Sequence, residues 1–300
     1  MVRPRLIATA EGTRSEAFGL VEWGLLSGIA LMWGSSFLWI AEGVEAFSPA
    51  VVALARLSLG AAALSLFPRT RRPVERSDWP SIAALGVVWM AVPLLLFPIA
   101  QQWVDSSIAG MINGGVPLFA AVVAAVLLRR LPGARQAAGL VVGFGGVVLI
   151  TLPAAAAAGG SPLGVGLIVL ATALYGLAFN MSVPLAQKYG SLPVLLRAQL
   201  VAIAIVLPFG IAGVPQSRWA WSSAGAMVVL GVLSTGVAYV AMTELGRRVG
   251  ATRGSISIYF LPIVAMVLGV VFRDETVPGL AVVGTGLVIA GAWLSSRRER

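Results

Sequence analysis

Ten apolar segments of about 20 residues each, separated by short polar breaks, follow one another along the chain. A helix of about 20 apolar residues crosses the hydrocarbon core of a membrane, which is roughly 30 Å thick. The breaks carry arginine, proline and glycine, which are typical of helix ends and loops. The pattern therefore predicts an all-α integral membrane protein with ten transmembrane helices. The segments cover about residues 20–41, 49–67, 81–102, 107–128, 136–154, 163–185, 192–213, 221–245, 253–272 and 277–295.

The pattern also repeats at a fixed offset of 145 residues. Each half holds five segments, an odd number, so the second half enters the membrane from the opposite side. We therefore predict two inverted five-helix repeats, over residues 20–155 and 162–296, preceded by a cytoplasmic segment at residues 1–19. Inverted repeats are typical of secondary transporters, whose halves exchange conformations. The matched positions are Leu85-Gly86-Val87, Pro117, Gly139 and Gly146 in the first half, and Leu230-Gly231-Val232, Pro262, Gly284 and Gly291 in the second.

Composition agrees with a membrane protein and excludes several functional classes. The chain is 58% hydrophobic and only 11% charged, whereas a soluble domain carries about 25% charged residues. It contains no cysteine and no histidine, which excludes disulfides, thiolate metal sites and Ser-His-Asp catalysis. We also find no metal-ligand cluster and no glycine loop of the kind that cradles phosphate. We therefore expect neither an enzyme nor a bound metal or cofactor.

The basic residues indicate an orientation. With the N-terminus placed in the cytoplasm, 17 of the 21 lysines and arginines fall in cytoplasmic segments, as the positive-inside bias requires. We therefore expect a multi-pass membrane protein with both termini in the cytoplasm. The arginines are spread over separate loops, so the net charge of +9 reflects topology better than a nucleic-acid partner. The expected partners are membrane lipid and a small-molecule substrate, and the oligomeric state stays open.

Polar and aromatic side chains in the middle of the segments form the candidate substrate site. A polar group at this depth is costly unless it is partnered or lines a water-filled cavity. Interhelical hydrogen bonds and plain helix packing use the same residue types, so that alternative stays open. The acidic residues lie at segment ends or in loops, which predicts no dedicated proton relay and a neutral or zwitterionic substrate. The candidates are Trp33, Trp89, Asn113, Tyr175, Tyr239, Ser255 and Tyr259.

Short motifs occur in a fixed order across both halves. A Trp-Gly motif lies in the first segment, a proline and an arginine mark the second, and a proline followed by glycines marks the end of each half. The motifs extend over about residues 20–295, and their order and spacing together are more specific than any one of them. They are Trp33-Gly34-Ser35-Ser36-Phe37, Pro49, Arg56, Pro117, Gly139, Gly145-Gly146, Pro262, Glu275, Gly284 and Gly291.

In this order the motifs resemble the EamA branch of the drug/metabolite transporter superfamily. The resemblance implies ten helices, cytoplasmic termini and the export of metabolites. Within that family, the chain is most similar to bacterial amino-acid exporters, including exporters of aromatic amino acids. It departs from the family at Arg130, where a glutamate is common, and at Tyr175-Gly176, which stands where the first half has Trp33-Gly34.

Three further residues are interpreted as structural or gating residues. Arg56 lies deep in the second segment, where a buried arginine needs a carboxylate or backbone carbonyl partner. It could contact a substrate carboxylate, act as a gate, or clamp a neighbouring helix. We favour the clamp because Arg56 matches a family-wide position. Pro117 and Pro262 can free backbone carbonyls, which is tolerated at this depth where the backbone lines a cavity.

Together these features predict a secondary transporter. It would export small metabolites, above all neutral or aromatic amino acids, across the inner membrane by alternating access. One alternative is an exporter of drugs, nucleosides or other metabolites with the same fold. Another, from a different class, is a channel, although the sequence contains neither a ring of charges nor a filter-like segment.

Overall fold

The chain is helical throughout the part that the structure describes. The structure is a computed structural model that describes residue 8 and residues 19–128, 133–156, 161–249 and 254–296. Arg130 and most of the predicted N-terminal segment 1–19 lie outside these ranges, within which no strand occurs. The helices, numbered α1 to α10, are α1 Leu20–Gly34 and Ser36–Val44, α2 Pro49–Ser65, α3 Trp79–Leu85, Gly86–Ala91 and Val92–Ala100, α4 Ser106–Asn113 and Val116–Leu128, α5 Ala134–Ala156, α6 Pro162–Tyr189, α7 Ser191–Ala212, α8 Trp221–Val229, Leu230–Val237 and Ala238–Val249, α9 Ser255–Phe260 and Leu261–Arg273, and α10 Gly279–Ser296.

The helices have the length and composition of membrane-spanning segments. Within the described ranges, seven of them (α1 and α3 to α8) are long and apolar enough to cross a membrane, and the apolar parts of α2, α9 and α10 are shorter. Large apolar side chains such as Val141, Phe209 and Phe272 are exposed on the outer surface of the bundle. A surface of this kind is suited to lipid rather than water. The protein is therefore all-helical with several membrane-spanning helices, as the sequence predicts.

Helices α3 and α8 each contain a π-helical segment. The two segments are Gly86–Ala91 and Leu230–Val237, and Gly86 and Gly231 within them are 145 positions apart. A π turn contains one residue more than an α turn and frees backbone carbonyls. The glycine permits close packing, because a Cβ on Gly86 would lie 2.5 Å from the carbonyl oxygen of Ala198 in α7. The sequence predicts continuous segments here, and the structure differs because neighbouring helices pack directly on this backbone.

Helices α4 and α9 are irregular just before a proline. Helix α4 is interrupted at Gly114 and Gly115, shortly before Pro117, and α9 begins with the 3-10 turn Ser255–Phe260, shortly before Pro262. Proline lacks an N–H group and cannot complete the helical hydrogen bond at its own position. The ring of Pro262 packs directly over Gly114, where there is no room for a Cβ. Both prolines therefore lie where the backbone departs from an α-helix.

Helices α5 and α10 pack along a seam of glycines. A Cβ on Gly146 would lie 2.5 Å from the carbonyl oxygen of Gly284, and a Cβ on Gly284 would lie 2.6 Å from the carbonyl oxygen of Gly146. Further along the seam, Gly291 packs against the backbone of Gly143. Small residues let membrane helices approach until their backbones touch. Glycines that repeat between the two halves of the sequence therefore contact each other in the fold.

Candidate functional site

Two adjoining cavities lie between helices from both halves of the chain. The accessible volumes of the two cavities are about 10 Å³ and about 20 Å³. Each therefore has room for roughly one water molecule. The first cavity is lined by Trp33, Trp89, Asn113, Val116, Tyr175, Phe179, Met242 and Ile258, and the second by Trp33, Ser36, Phe37, Ile40, Arg56, Phe97, Asn113, Tyr175 and Tyr239.

Aromatic rings from four helices form a continuous wall around these cavities. The ring centroid of Tyr239 lies 5.2 Å from that of Trp33 and 4.9 Å from that of Trp89. The Tyr239 hydroxyl lies 3.4 Å from the hydroxyl of Tyr175. The ring of Tyr175 in turn lies 5.7 Å from that of Phe97. Helices α1, α3, α6 and α8 therefore meet through their aromatic side chains.

Two of these aromatic residues satisfy backbone carbonyls in the π segments. Trp33 Nε1 donates a hydrogen bond of 2.9 Å to the carbonyl oxygen of Ser234. The Tyr239 hydroxyl donates one of 3.2 Å to the carbonyl oxygen of Trp89. Ser234 and Trp89 are 145 positions apart, so a side chain from each half binds the equivalent carbonyl of the other half. A buried carbonyl without a partner would be costly, and these bonds link the halves at the cavities.

Arg56 is buried on α2 and contacts the π segment of α8. Its Nε donates a hydrogen bond of 3.0 Å to Thr235 Oγ1, which itself donates one of 2.9 Å to the carbonyl oxygen of Leu230. From α7, Gln199 Nε2 donates a hydrogen bond of 2.7 Å to the carbonyl oxygen of Thr235. These contacts fit the helix clamp that we favour for Arg56. Arg56 also lines the second cavity.

Asn113 presents an unpaired hydrogen-bond acceptor. It is the last residue before the interruption of α4 and is 3% exposed. Its Oδ1 atom is buried and has no hydrogen-bond partner among the described residues. Asn113 lines both cavities. A polar atom of this kind is costly to bury unless a ligand or water pairs with it.

The structure brings five of the seven candidate substrate-binding residues together. Tyr259 is buried but does not line either cavity, and its neighbour Ile258 lines the first cavity instead. Ser255 begins the 3-10 turn of α9, and its side chain lies outside the described residues. The five that meet are Trp33, Trp89, Asn113, Tyr175 and Tyr239.

The sequence prediction did not include two residues that the structure places at or beside the site. Phe97 lines the second cavity, but it is one apolar residue among many in its segment. Gln199 contacts the π segment of α8 and is fully buried. An amide in the middle of an apolar segment is the signal that could have identified Gln199.

Acidic side chains gather at one end of the helix bundle. Arg273, at the end of α9, pairs with Glu45 at 2.8 Å. The carboxylate of Glu275 accepts hydrogen bonds from the backbone N–H and the hydroxyl of Ser106, at 3.0 and 2.6 Å. It therefore caps the start of α4, where free N–H groups favour a negative charge. Burial raises the pKa of the neighbouring Asp105 above its ordinary value, and the charge of Glu275 adds to this effect.

Ion pairs also join helices at the opposite end. Arg248 of α8 pairs with Glu22 of α1 at 3.1 Å, and Lys188 of α6 pairs with Asp78, before α3, at 2.8 Å. The acidic side chains of the described residues thus lie near helix ends, and none lines either cavity. In the same ranges, no three of them converge as a metal site would require.

Comparison with protein families decides what this helix bundle is. The model of the EamA-like transporter family matches residues 23–152 and, separately, residues 162–297. The chain belongs to the EamA-like transporter family. The resemblance stated from the motifs is therefore confirmed, and the family is one of membrane transporters.

Relatives of this EamA-like chain are named as transporters and exporters. One, a "probable terminal-alkyne amino-acid exporter" of Streptantibioticus cattleyicolor, is 29% identical over 92% of this chain and 93% of its own length. An "uncharacterized transporter" of Archaeoglobus fulgidus is 22% identical over 93% of this chain and 99% of its own length. The threonine/homoserine exporter RhtA of Salmonella typhimurium is 32% identical over 33% of this chain and 35% of its own length.

A solved structure shows the same fold as this EamA-like chain. This crystal structure of a protein superposes with a TM-score of 0.66 over 92% of this chain and 94% of its own length. The sequence identity is 19%. At that identity the likeness concerns the fold alone.

Proposed function

We propose that this chain is a secondary transporter that exports neutral or aromatic amino acids by alternating access. The observation that carries the proposal is the pair of cavities between the two halves, closed at present by side chains from both. Their walls combine aromatic faces, hydroxyls and an unpaired amide oxygen, and they contain no carboxylate among the described residues. Such walls suit a zwitterion with an apolar side chain.

Alternating access requires two halves that move against each other, and we propose that the chain is built as two inverted five-helix repeats. Two separate matches to one family model support the repeat. The π segments and the proline breaks also recur at the 145-residue offset. Irregular backbone beside a substrate site is a common feature of transporters.

The orientation and the energy source complete the proposal. The distribution of arginine and lysine supports cytoplasmic termini. In the opposite orientation, most of these residues would lie outside the cytoplasm. Export proceeds down the substrate gradient without a dedicated proton relay, because no acidic side chain of the described residues lines either cavity, and Glu22, Glu45 and Glu275 are paired near helix ends. The protein then works in the inner membrane of a bacterial cell.

Counterflow in proteoliposomes tests the function. Purified protein is reconstituted, the vesicles are preloaded with unlabelled solute, and uptake of radiolabelled amino acids, nucleosides and cationic dyes is measured without a pH gradient. We expect saturable, trans-stimulated uptake of phenylalanine or leucine. Uptake that neither saturates nor responds to trans-substrate would indicate a channel, and uptake only under an imposed proton gradient would contradict export without a relay. A preference for dyes or nucleosides would overturn the amino-acid assignment.

A variant with a matched control ties the activity to the cavities. Asn113→Ala removes the unpaired amide from the cavity wall, and we expect phenylalanine counterflow to fall about 10-fold because a charge-assisted hydrogen bond to substrate is lost. Gln102→Ala removes an exposed amide outside both cavities. Its counterflow should stay within about twofold of the original protein. Equal rates for the two variants would exclude the cavities as the transport site.

A further inference from the structure

The guanidinium of Arg56 is a buried charge without a counter-anion. The side chain is 3% exposed, and within the described residues no carboxylate lies within 4.0 Å of it. Two acidic side chains from α1 and the loop after α9 are engaged elsewhere. Glu22 pairs with Arg248, and Glu275 caps the start of α4. Burying an unpaired charge is one of the costliest arrangements in a protein. A structural clamp alone would not need a charge, because a neutral amide can also bond the Thr235 hydroxyl.

Arg56 lines the second cavity and keeps most of its hydrogen-bond donors unused. An arginine has five N–H donors in a planar fork. The Nε donor is used by Thr235 Oγ1 at 3.0 Å, and the other four N–H donors form no hydrogen bond within the described residues. The fork geometry of two neighbouring N–H groups matches a carboxylate. The missing partner of Arg56 is therefore an anion of carboxylate shape.

The two cavities divide into a polar and an apolar part. Phe179, Met242 and Ile258 line only the first cavity, whereas Arg56 lines only the second. Asn113, with its unpaired Oδ1, lines both and thus marks the boundary between them. Trp33 lines both as well and presents an aromatic face that attracts cations.

We propose that Arg56 binds the carboxylate of the substrate, that Asn113 Oδ1 accepts a hydrogen bond from its ammonium group, and that the first cavity takes its side chain. This rests on the proposed export of amino acids and narrows it to α-amino acids with a free carboxylate and an apolar or aromatic side chain. The substrate carboxylate supplies the counter-anion that the fold lacks. Arg56 is accordingly both a helix clamp, through Nε, and a specificity-determining residue, through its Nη groups.

The ligand series on the unaltered protein is the first test. Binding of radiolabelled phenylalanine to the purified full chain is competed with phenylalanine, phenylalaninamide, 2-phenylethylamine and 3-phenylpropanoate. Phenylalaninamide and 2-phenylethylamine lack a free carboxylate and should compete at least about 10-fold more weakly than phenylalanine. Equal competition by phenylalanine and phenylalaninamide would overturn the proposal without any variant.

Variants then assign the carboxylate contact to Arg56. In Arg56→Gln, the ratio of phenylalanine affinity to 2-phenylethylamine affinity should collapse to within about twofold of unity, and Arg56→Lys should retain part of it, because a lysine keeps the charge without the fork. In Thr235→Val, the clamp is lost but the guanidinium stays, so the ratio should persist even if the protein melts earlier. If the affinity ratio also collapses in Thr235→Val, Arg56 acts only as a helix clamp and does not contact the substrate carboxylate.

Arg197→Gln is the matched control. It removes one guanidinium from α7, where Arg197 bonds the carbonyl oxygens of Thr70 and Arg72 and lines neither cavity. Its affinity ratio should equal that of the unaltered protein. If the unaltered protein binds and exports phenylalanine but Arg56→Gln retains the ratio, only the role of Arg56 fails. If the unaltered protein neither binds nor exports any amino acid, the proposed function fails and the role of Arg56 with it.

Discussion

Some side chains that line the cavities also donate hydrogen bonds to backbone carbonyl groups. The principle that polar groups at membrane depth need a partner or a cavity identified Trp33, Asn113 and Tyr239 from sequence. It could not identify their partners. Trp33 and Tyr239 bond carbonyls that lie in the π segments, and no hydrophobic pattern indicates which carbonyl a distant side chain will bond.

Local helix geometry explains why Tyr239 lines a cavity and Tyr259 does not. Reading faces by helical periodicity assumes an unbroken α-helix of 3.6 residues per turn. Tyr259 lies within a 3-10 turn, where that periodicity does not apply. Tyr239 follows a π segment, which shifts the facing direction of later residues by about 100°. Both tyrosines are buried, but the sequence pattern did not show which neighbours each one would face.

Tyr239→Phe tests the hydroxyl apart from the ring. The ring contacts with Trp33 and Trp89 remain, but the carbonyl oxygen of Trp89 loses its hydrogen bond. An unsatisfied buried acceptor costs about 1–3 kcal/mol, so we expect a lower thermal unfolding midpoint in detergent and a several-fold weaker apparent affinity in counterflow. Tyr189→Phe removes the same atom near a helix end and should leave the affinity within about twofold. Identical affinities for the two variants would argue against a role of the Tyr239 hydroxyl at the site.

At the scale of the elements, the existence of each helix was readable from the sequence and its internal irregularity was not. Within the described ranges the apolar runs coincide with helices, seven of which are long and apolar enough to cross a membrane. The helices end a few residues later than the predicted segments at Val44 and Tyr189. Polar and basic residues there belong to the last helical turn. The hydrophobic pattern did not predict the π segments, because a π turn changes the backbone hydrogen bonds but leaves the segment apolar.

The glycine seam between α5 and α10 offers a test at the level of an element. Gly146→Ala places a Cβ against the carbonyl oxygen of Gly284, so the helices must separate. Overpacking of this kind costs about 1–3 kcal/mol. Gly145→Ala is the adjacent control, because a Cβ there meets no atom within 4 Å. We expect thermal melting monitored by size-exclusion chromatography to show a destabilised Gly146→Ala and an unaffected Gly145→Ala, and the reverse order would contradict the seam.

At the scale of the whole molecule, the two halves meet at the cavities and are tied at both ends. Arg273 with Glu45 joins helices at one end, and Arg248 with Glu22 joins them at the other. The cavities therefore have ion pairs beyond them in both directions. In the proposed alternating access, one end would separate while the other stays paired, which keeps the substrate from crossing freely.

Thiol labelling tests the proposed orientation of the whole chain. The protein contains no cysteine, so single-cysteine variants report one position without background. Gln216→Cys lies between α7 and α8, and Ser77→Cys lies between α2 and α3; both positions are exposed. A membrane-impermeant maleimide should label Gln216→Cys in intact cells and label Ser77→Cys only after permeabilisation. The opposite result would place the termini outside the cytoplasm.

The sequence by itself determined the environment and the elements of this protein. Apolar runs of membrane length, scarce charge and the glycine and proline framework follow from the requirement that a helix in lipid must satisfy its own backbone and present an apolar surface. Tertiary structure decided which side chains meet. The bonds from Trp33 and Tyr239 to the π segments, the unused donors of Arg56 and the unpaired Oδ1 of Asn113 are decided only when helices far apart in the chain pack together, because cavity walls and hydrogen-bond partners are properties of neighbours in space.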